Sequence, residues 1–157
     1  MKGIIICFLM LVSTAVYAQN VNLNLADPGS GCSVESASSN VDLAYKVITG
    51  NTEEGWNTSG ETSGAWVKIK FGKTVTVSEI WILARPIFSY VVTPYNLQYR
   101  YTYAPARNIT VFFSDGTTEN VTLGQSDNFQ IIRLPDQKQT GFLKVAIKDV
   151  WQGIGTG

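Results

Sequence analysis

The sequence predicts an all-β protein, an antiparallel sandwich or jelly roll, and three observations predict it. Apolar residues recur at every second position in several short runs, clusters of Gly, Asn, Asp and Pro separate those runs, and no stretch sustains a helical repeat. At 157 residues, 45% hydrophobic and 11% aromatic, the chain can bury one real core and is too short for two comfortable ones. Residues 1–18 read as a signal peptide: Lys2 supplies a positive start, Ile4 to Val12 an apolar run, and Val16-Tyr17-Ala18 the approach to a cut before Gln19. The expected product is secreted, with residues 19–157 as its single domain. No later stretch reaches the roughly 18 apolar residues of a membrane-spanning helix.

In chain order, the alternating Val21-Asn-Leu-Asn-Leu25 predicts an edge strand, and Asp27-Pro28-Gly29 a turn after it. Val41 to Ile48 predicts one short helical turn, with Leu43, Ala44 and Val47 on a shared face. Thr49 to Gly64 is dense in Gly, Asn, Thr and Ser and predicts a long surface loop, so Trp56 in its middle either anchors the loop or serves a ligand. The stretch Trp66 to Leu83 reads as two strands joined at Gly72-Lys73. Val67, Ile69 and Phe71 alternate with Lys68 and Lys70, Val75 and Val77 resume the pattern, and Ile80 and Ile82 carry it on after a shift at Ser78-Glu79. Trp81 falls between those two isoleucines, which leaves packing against another layer and exposure both open.

Arg85 to Arg107 gathers five tyrosines, of which Tyr99, Tyr101 and Tyr103 sit at strand spacing, while Pro86, Pro94 and Pro105 confine any strand to short pieces. Asn108 to Leu123 predicts a hairpin, with Ile109, Val111 and Phe113 on one face, a turn at Ser114-Asp-Gly-Thr117, and Val121 and Leu123 returning. Phe129 to Leu134 and Phe142 to Ile147 read as two further strands separated by a polar turn from Pro135 to Gly141. Trp151 opens a Gly-rich terminal loop.

The composition excludes several functions. Twelve basic residues face twelve acidic ones, or eleven against twelve once Lys2 leaves with the signal, whereas nucleic-acid binding needs a basic surplus. The same balance argues against an acidic mineral or calcium sponge. Histidine is absent, which removes the usual proton shuttle and the commonest zinc ligand. Glu53-Glu54 is an adjacent acidic pair in a polar loop, a solvated pair rather than an acid and base. No nucleophile and base can be assembled, so an enzyme is the last choice. Cys32 is the lone thiol of the mature chain. Asn57-Thr-Ser, Asn108-Ile-Thr and Asn120-Val-Thr are acceptor tripeptides for N-glycans, and the last two asparagines fall on the face of the hairpin opposite its apolar residues.

The order of motifs resembles the discoidin family, also called the coagulation factor 5/8 type C domain, with its galactose-binding-like jelly roll. The matching pieces are Asn24-Leu-Ala26, Ser36-Ala-Ser-Ser39, Ala44-Tyr-Lys-Val-Ile-Thr-Gly-Asn51 leading to Trp56, Trp66-Val-Lys-Ile-Lys-Phe-Gly72, Ser114-Asp-Gly116, and Phe142 to Val150. The resemblance implies a framework role for Trp56 and Trp66, and binding through loops at one end of the sandwich. It also implies a closing strand and a second cysteine beyond Gly157, so the sequence reads as a fragment lacking its last strand. Where relatives commonly carry Asp-Gly this chain has Thr49-Gly50, which puts the family's structural calcium in doubt.

A sugar site needs a flat aromatic surface for the C–H face and planar groups for the hydroxyls. Arg85, Tyr90, Tyr95 and Arg100 are the candidates on those grounds, arginine for its fixed fork of donors and tyrosine for an apolar body with a polar tip. Trp151 joins them by its place at the end where relatives bind. Tyr99, Tyr101 and Tyr103 fit sheet packing better than a site, and Lys68, Lys70 and Lys73 fit a solvated face better than an anion site. The expected function is a secreted, glycosylated, non-catalytic module that recognises extracellular carbohydrate. An adhesive or structural component of an extracellular matrix, mineralised or not, with a matrix protein as partner, is the alternative. Attachment to a phospholipid membrane surface through Ile87-Phe88 or Val91-Val92 ranks third.

Overall fold

The computed structural model describes residues 24–53, 55–58, 60–84, 87–93 and 96–151, with 87–93 and 96–103 described by their strand pairing alone. The signal peptide and most of the segment Val21 to Leu25 lie outside these residues. Asn24 to Asp27 forms a turn rather than the end of an edge strand, closed by the Asp27 N–H donating to the Asn24 carbonyl at 3.3 Å and by the Ala26 N–H donating to Asn24 Oδ1 at 3.1 Å. The edge strand comes later, as β1 (Ser33–Ala37).

The described residues form an antiparallel β-sandwich with two short 3-10 helices, Pro28–Ser30 and Val41–Ile48. One sheet has the order β1-β2-β7-β5-β6, from β1, β2 (Trp66–Ile82), β5 (Ala106–Phe113), β6 (Thr118–Thr122) and β7 (Gln130–Val150). A separate hairpin pairs β3 (Ile87–Thr93) with β4 (Asn96–Tyr103).

Two expectations change here. The runs on either side of Gly72-Lys73 are halves of the one strand β2, and those on either side of Pro135 to Gly141 are halves of β7. The polar residues read as turns are instead places where the β2–β7 register slips, between Lys70 and Val75 and again between Val77 and Glu79, the second at the predicted break. Locally, a turn and a bulged crossing use the same residue types; only the partner strand tells them apart.

A straight strand of 17 residues would run about 55 Å. Yet Val77 and Ile80 from the far half of β2 share one core with Phe71, Ile109, Val111, Phe113, Leu123 and Leu143. Strand β1 pairs only with residues 67–70 of β2, and β5 only with residues 143–150 of β7. The far half of the β2–β7 ladder therefore folds across the near half, and the bulges make the crease. Gly72 sits at that crease because a Cβ there would stand 3.2 Å from the Gly31 carbonyl oxygen.

The alternation holds on both sides of the core. Val67, Phe71, Val77 and Ile80 are buried while Lys70, Thr76 and Trp81 are exposed, and Ile109, Val111 and Phe113 are at most 2% exposed. Full burial of such side chains contributes about 1.5–3 kcal/mol each, which is why the face assignment is so firmly specified. The helix Val41–Ile48 turns Ala44 and Ile48 inward and leaves Leu43 and Val47 at 37% and 38% exposure, so its buried face is one residue round from the one expected. Ala44 and Ile48 stand four residues apart, the same spacing as Leu43 and Val47, so the stripe has turned by one residue without changing its repeat. Cys32 is a buried free thiol inside the core, and burial pushes its pKa up.

Candidate functional site

At the end of the sandwich where β2 begins and β7 finishes, the described residues between 38 and 65 are clasped rather than loose. The Trp56 indole Nε1 donates to the Ser39 carbonyl at 2.9 Å, and Asn40 Nδ2 donates to the Asn57 carbonyl at 3.0 Å and to its Oδ1 at 3.1 Å. Glu61 Oε2 accepts from the hydroxyls of Ser38 and Ser39. The Gly64 N–H donates to the Ile147 carbonyl, and Ser63 Oγ to that of Lys148. Trp56 is thus a half-buried anchor. Trp66 lies half-buried on the outer face, with Lys144 Nζ 4.3 Å from its ring centroid.

On the same end, residues distant in sequence build one polar cluster. Asp149 accepts from Arg107 Nε at 3.1 Å and Nη2 at 2.9 Å, from the Asn108 N–H at 3.0 Å and from Asn108 Nδ2 at 2.9 Å. The Arg107 guanidinium and then Asn108 hold its carboxyl well below the usual aspartate range, and the same contact raises Arg107. Arg107 also lies 5.5 Å from the ring centroid of Trp151. Trp151 is fixed at two points, its N–H on the Pro105 carbonyl at 2.9 Å and its Nε1 on the Leu123 carbonyl at 3.1 Å.

Beside this cluster runs a shallow groove of about 200 Å³ between Asn108, Asn120, Thr122, Lys148 and Asp149. The two acceptor tripeptides face each other across it. Asn108 pairs with Thr122 and Thr110 with Asn120, so each asparagine Oδ1 accepts from the other tripeptide's threonine, at 2.7 Å and 2.9 Å. Lys148 Nζ adds a third contact, to Asn120 Oδ1 at 2.7 Å. The predicted outward placement of Asn108 and Asn120 holds; their mutual pairing was invisible in the sequence. Asn57 is half-buried.

Of the residues expected to bind ligand, Arg85 and Tyr95 lie outside the described residues. Tyr90 pairs with Tyr99 and Arg100 with Ser89, neighbouring rungs of the β3–β4 ladder, whose base at Ile87 and Tyr103 leads through Pro105 to Trp151. Sequence reasoning missed Arg107 and Asp149, 42 positions apart, because nothing local marks an ion pair that only strand register creates. Of the lysine stripe, Lys68 is not simply solvated: it pairs with Glu35 and stands 4.2 Å from the centroid of Phe142.

The residues at Thr49-Gly50 do not fit calcium. Thr49 Oγ1 donates to the Lys46 carbonyl at 3.2 Å and accepts from the Asn51 N–H at 3.3 Å, so a hydroxyl already in use stands where a carboxylate ligand is needed. Among the described residues no three His, Cys, Asp or Glu side chains gather as a metal site.

Comparison with known proteins bears on the fold and the family. No curated protein matches the chain. Among solved structures, the family 32 carbohydrate-binding module of C. perfringens NanJ, in complex with galactose, is 18% identical with a TM-score of 0.55, over 82% of this chain and 88% of that one. The family 32 module of Streptococcus pneumoniae EndoD is 13% identical with a TM-score of 0.55, over 85% and 90%. A third, from Clostridium perfringens in complex with GalNAc-β-1,3-galactose, is 12% identical with a TM-score of 0.50, over 79% and 85%. These likenesses are of fold. The F5/8 type C domain family matches residues 31–156, and the chain belongs to that family, the discoidin family.

Proposed function

We propose that this chain is a secreted, non-catalytic module that binds extracellular carbohydrate through the loop end of its sandwich. The observation that carries the reading is the pre-organised surface at that end. The Arg107 guanidinium is laid against the Trp151 indole and fixed by Asp149, and the base of the β3–β4 hairpin joins it through Pro105. Only two of the five guanidinium N–H groups face Asp149, and the side chain is 43% exposed, so a donor fork and an aromatic ring stand together at low entropic cost. Support comes also from the neighbours' ligands, galactose and GalNAc-β-1,3-galactose. The three acceptor tripeptides suit a glycosylated, secreted product.

A glycan array carrying terminal galactosides and GalNAc-terminated glycans tests this. Binding is expected, and it should weaken about tenfold or more in Arg85→Ala and in Arg107→Lys, since lysine keeps the charge and loses the fork. A blank array from folded protein refutes the reading. In that event a matrix protein or a phospholipid surface becomes the partner to pursue, and flotation with liposomes, with and without phosphatidylserine, separates the two.

A further inference from the structure

The folded-over half of the β2–β7 ladder carries a surface that neither the core nor the loop end uses. Trp81 pairs with Ile131 and Glu79 with Arg133. Trp81 is 54% exposed, Phe129 46% and Ile131 41%, and the Trp81 and Phe129 rings lie 6.3 Å apart at 53°. An exposed tryptophan on its own signifies little. This one is locked: its Nε1 donates to Glu79 Oε2 at 3.0 Å, and Glu79 Oε1 accepts from Arg133 Nε at 3.1 Å. The loop that carries Phe129 is braced from its own side. The Gln130 side chain clasps Gly124 at both its N–H and its carbonyl, and the Asn128 N–H donates to Ser126 Oγ. Fixing a large aromatic side chain costs rotamer freedom, and with Trp81 54% exposed burial offsets only part of it; such ordering is what a pre-formed ligand surface requires.

We propose that Trp81, Glu79 and Arg133 on the strand face, with Phe129 just ahead of β7, form a second carbohydrate-binding surface for a neutral pyranoside. The indole takes the C–H face of the ring. Arg133, whose side chain is 73% exposed and spends only its Nε on Glu79, offers the rest of its fork to the hydroxyls. Glu79 and Arg133 cancel in charge, which fits an uncharged sugar better than a sialylated or sulfated one. The ion pair at the patch's edge and its place on a strand face, not at a protruding tip, count against insertion into a bilayer.

The inference rests on the carbohydrate reading above, and the test separates the two. Indole N–H resonances of the intact protein are followed by NMR during titration with the neutral glycans that score on the array. The Trp81 resonance should shift, and should still do so in Arg85→Ala. Trp81→Ala, a surface change whose fold is checked by circular dichroism, deletes and so assigns that resonance, and should lower affinity for a multivalent galactoside by about tenfold; unchanged affinity overturns the inference. A Trp81 resonance that stays still while Trp56 or Trp151 responds overturns the inference and leaves the loop-end reading standing. Silence of every indole toward every glycan overturns both. A Trp81 shift caused by phosphatidylcholine vesicles and by no sugar assigns the patch to lipid and overturns the inference.

Discussion

Replacing Thr140 by valine tests the crease on which the two-layer architecture depends. Thr140 is fully buried, 0% exposed, where β7 passes from one half of its ladder to the other. Its Oγ1 accepts from the Ser114 N–H at 2.9 Å and donates to the Phe142 carbonyl, tying the β5–β6 turn to the crease; Ser114 Oγ accepts in turn from the Gly141 N–H at 2.9 Å. Valine has nearly the same shape and no hydroxyl, so Thr140→Val strips the Ser114 N–H and the Phe142 carbonyl of their partner in a part-buried network, at a cost of about 2 kcal/mol. Thr140→Ser keeps the hydroxyl and gives up one buried methyl, about 0.8 kcal/mol. At about 2–4 °C per kcal/mol the valine variant should melt about 4–8 °C below the parent and the serine variant about 2–3 °C below. Urea titration followed by circular dichroism should show the same order with an unchanged m-value. If valine matches the parent, or if serine falls as far as valine, the hydrogen bonds at Thr140 are not what holds the crease.

Two further outcomes follow from the polar cluster. Asp149 titrates below its ordinary value of 3.8 in the folded chain, so the stability it contributes is fully present above that pH and is lost as pH falls through the folded value. Thermal melts of Asp149→Asn should therefore lie below the parent at pH 6 and converge with it as the pH is lowered past 4; a gap that stays constant with pH rules out the carboxylate as its source. For the facing acceptor sites, Asn108 Nδ2 is committed to Asp149, whereas the contacts of the exposed Asn120 fall on its Oδ1. Glycopeptide mapping of protein secreted from a eukaryotic host should find Asn120 more fully occupied than Asn108, and Asn120→Gln should remove one glycan mass. Equal occupancy would show that the folded groove has no influence on which asparagine carries the sugar.

What was legible in the sequence is what depends on neighbours along the chain. The alternation through Val67, Phe71, Val77 and Ile80, the slip near Ser78, and the hairpin with Ile109, Val111 and Phe113 inward all follow from the two-residue period of a strand. The Asp115 turn is equally local: its Oδ1 accepts from Thr117 N–H and Oγ1, which also depresses its pKa. The crease was not legible, because Gly72 and the Pro135 to Gly141 stretch carry the residues of a turn and become a crossing only through pairing with each other's strands. Val41–Ile48 reads as helical, but which of two neighbouring stripes meets the core, Leu43 with Val47 or Ala44 with Ile48, is decided by how the helix docks and not by its own repeat.

The same distinction governs the candidate sites. An arginine or a tryptophan enters a sequence-based list for what its side chain can do, but whether it is available depends on what the fold has already done with it. Trp56 and Trp151 both donate their indole N–H groups to backbone carbonyls and are half-buried, so as sugar platforms they offer at most one edge or face. Trp81 donates its indole N–H to a side chain that an arginine braces from behind, and its rings remain more than half exposed. Of the three, it is the one whose hydrogen bond orients the ring without covering it, and ligand binding to a sandwich of this kind should be sought on its strand face as well as at its loops.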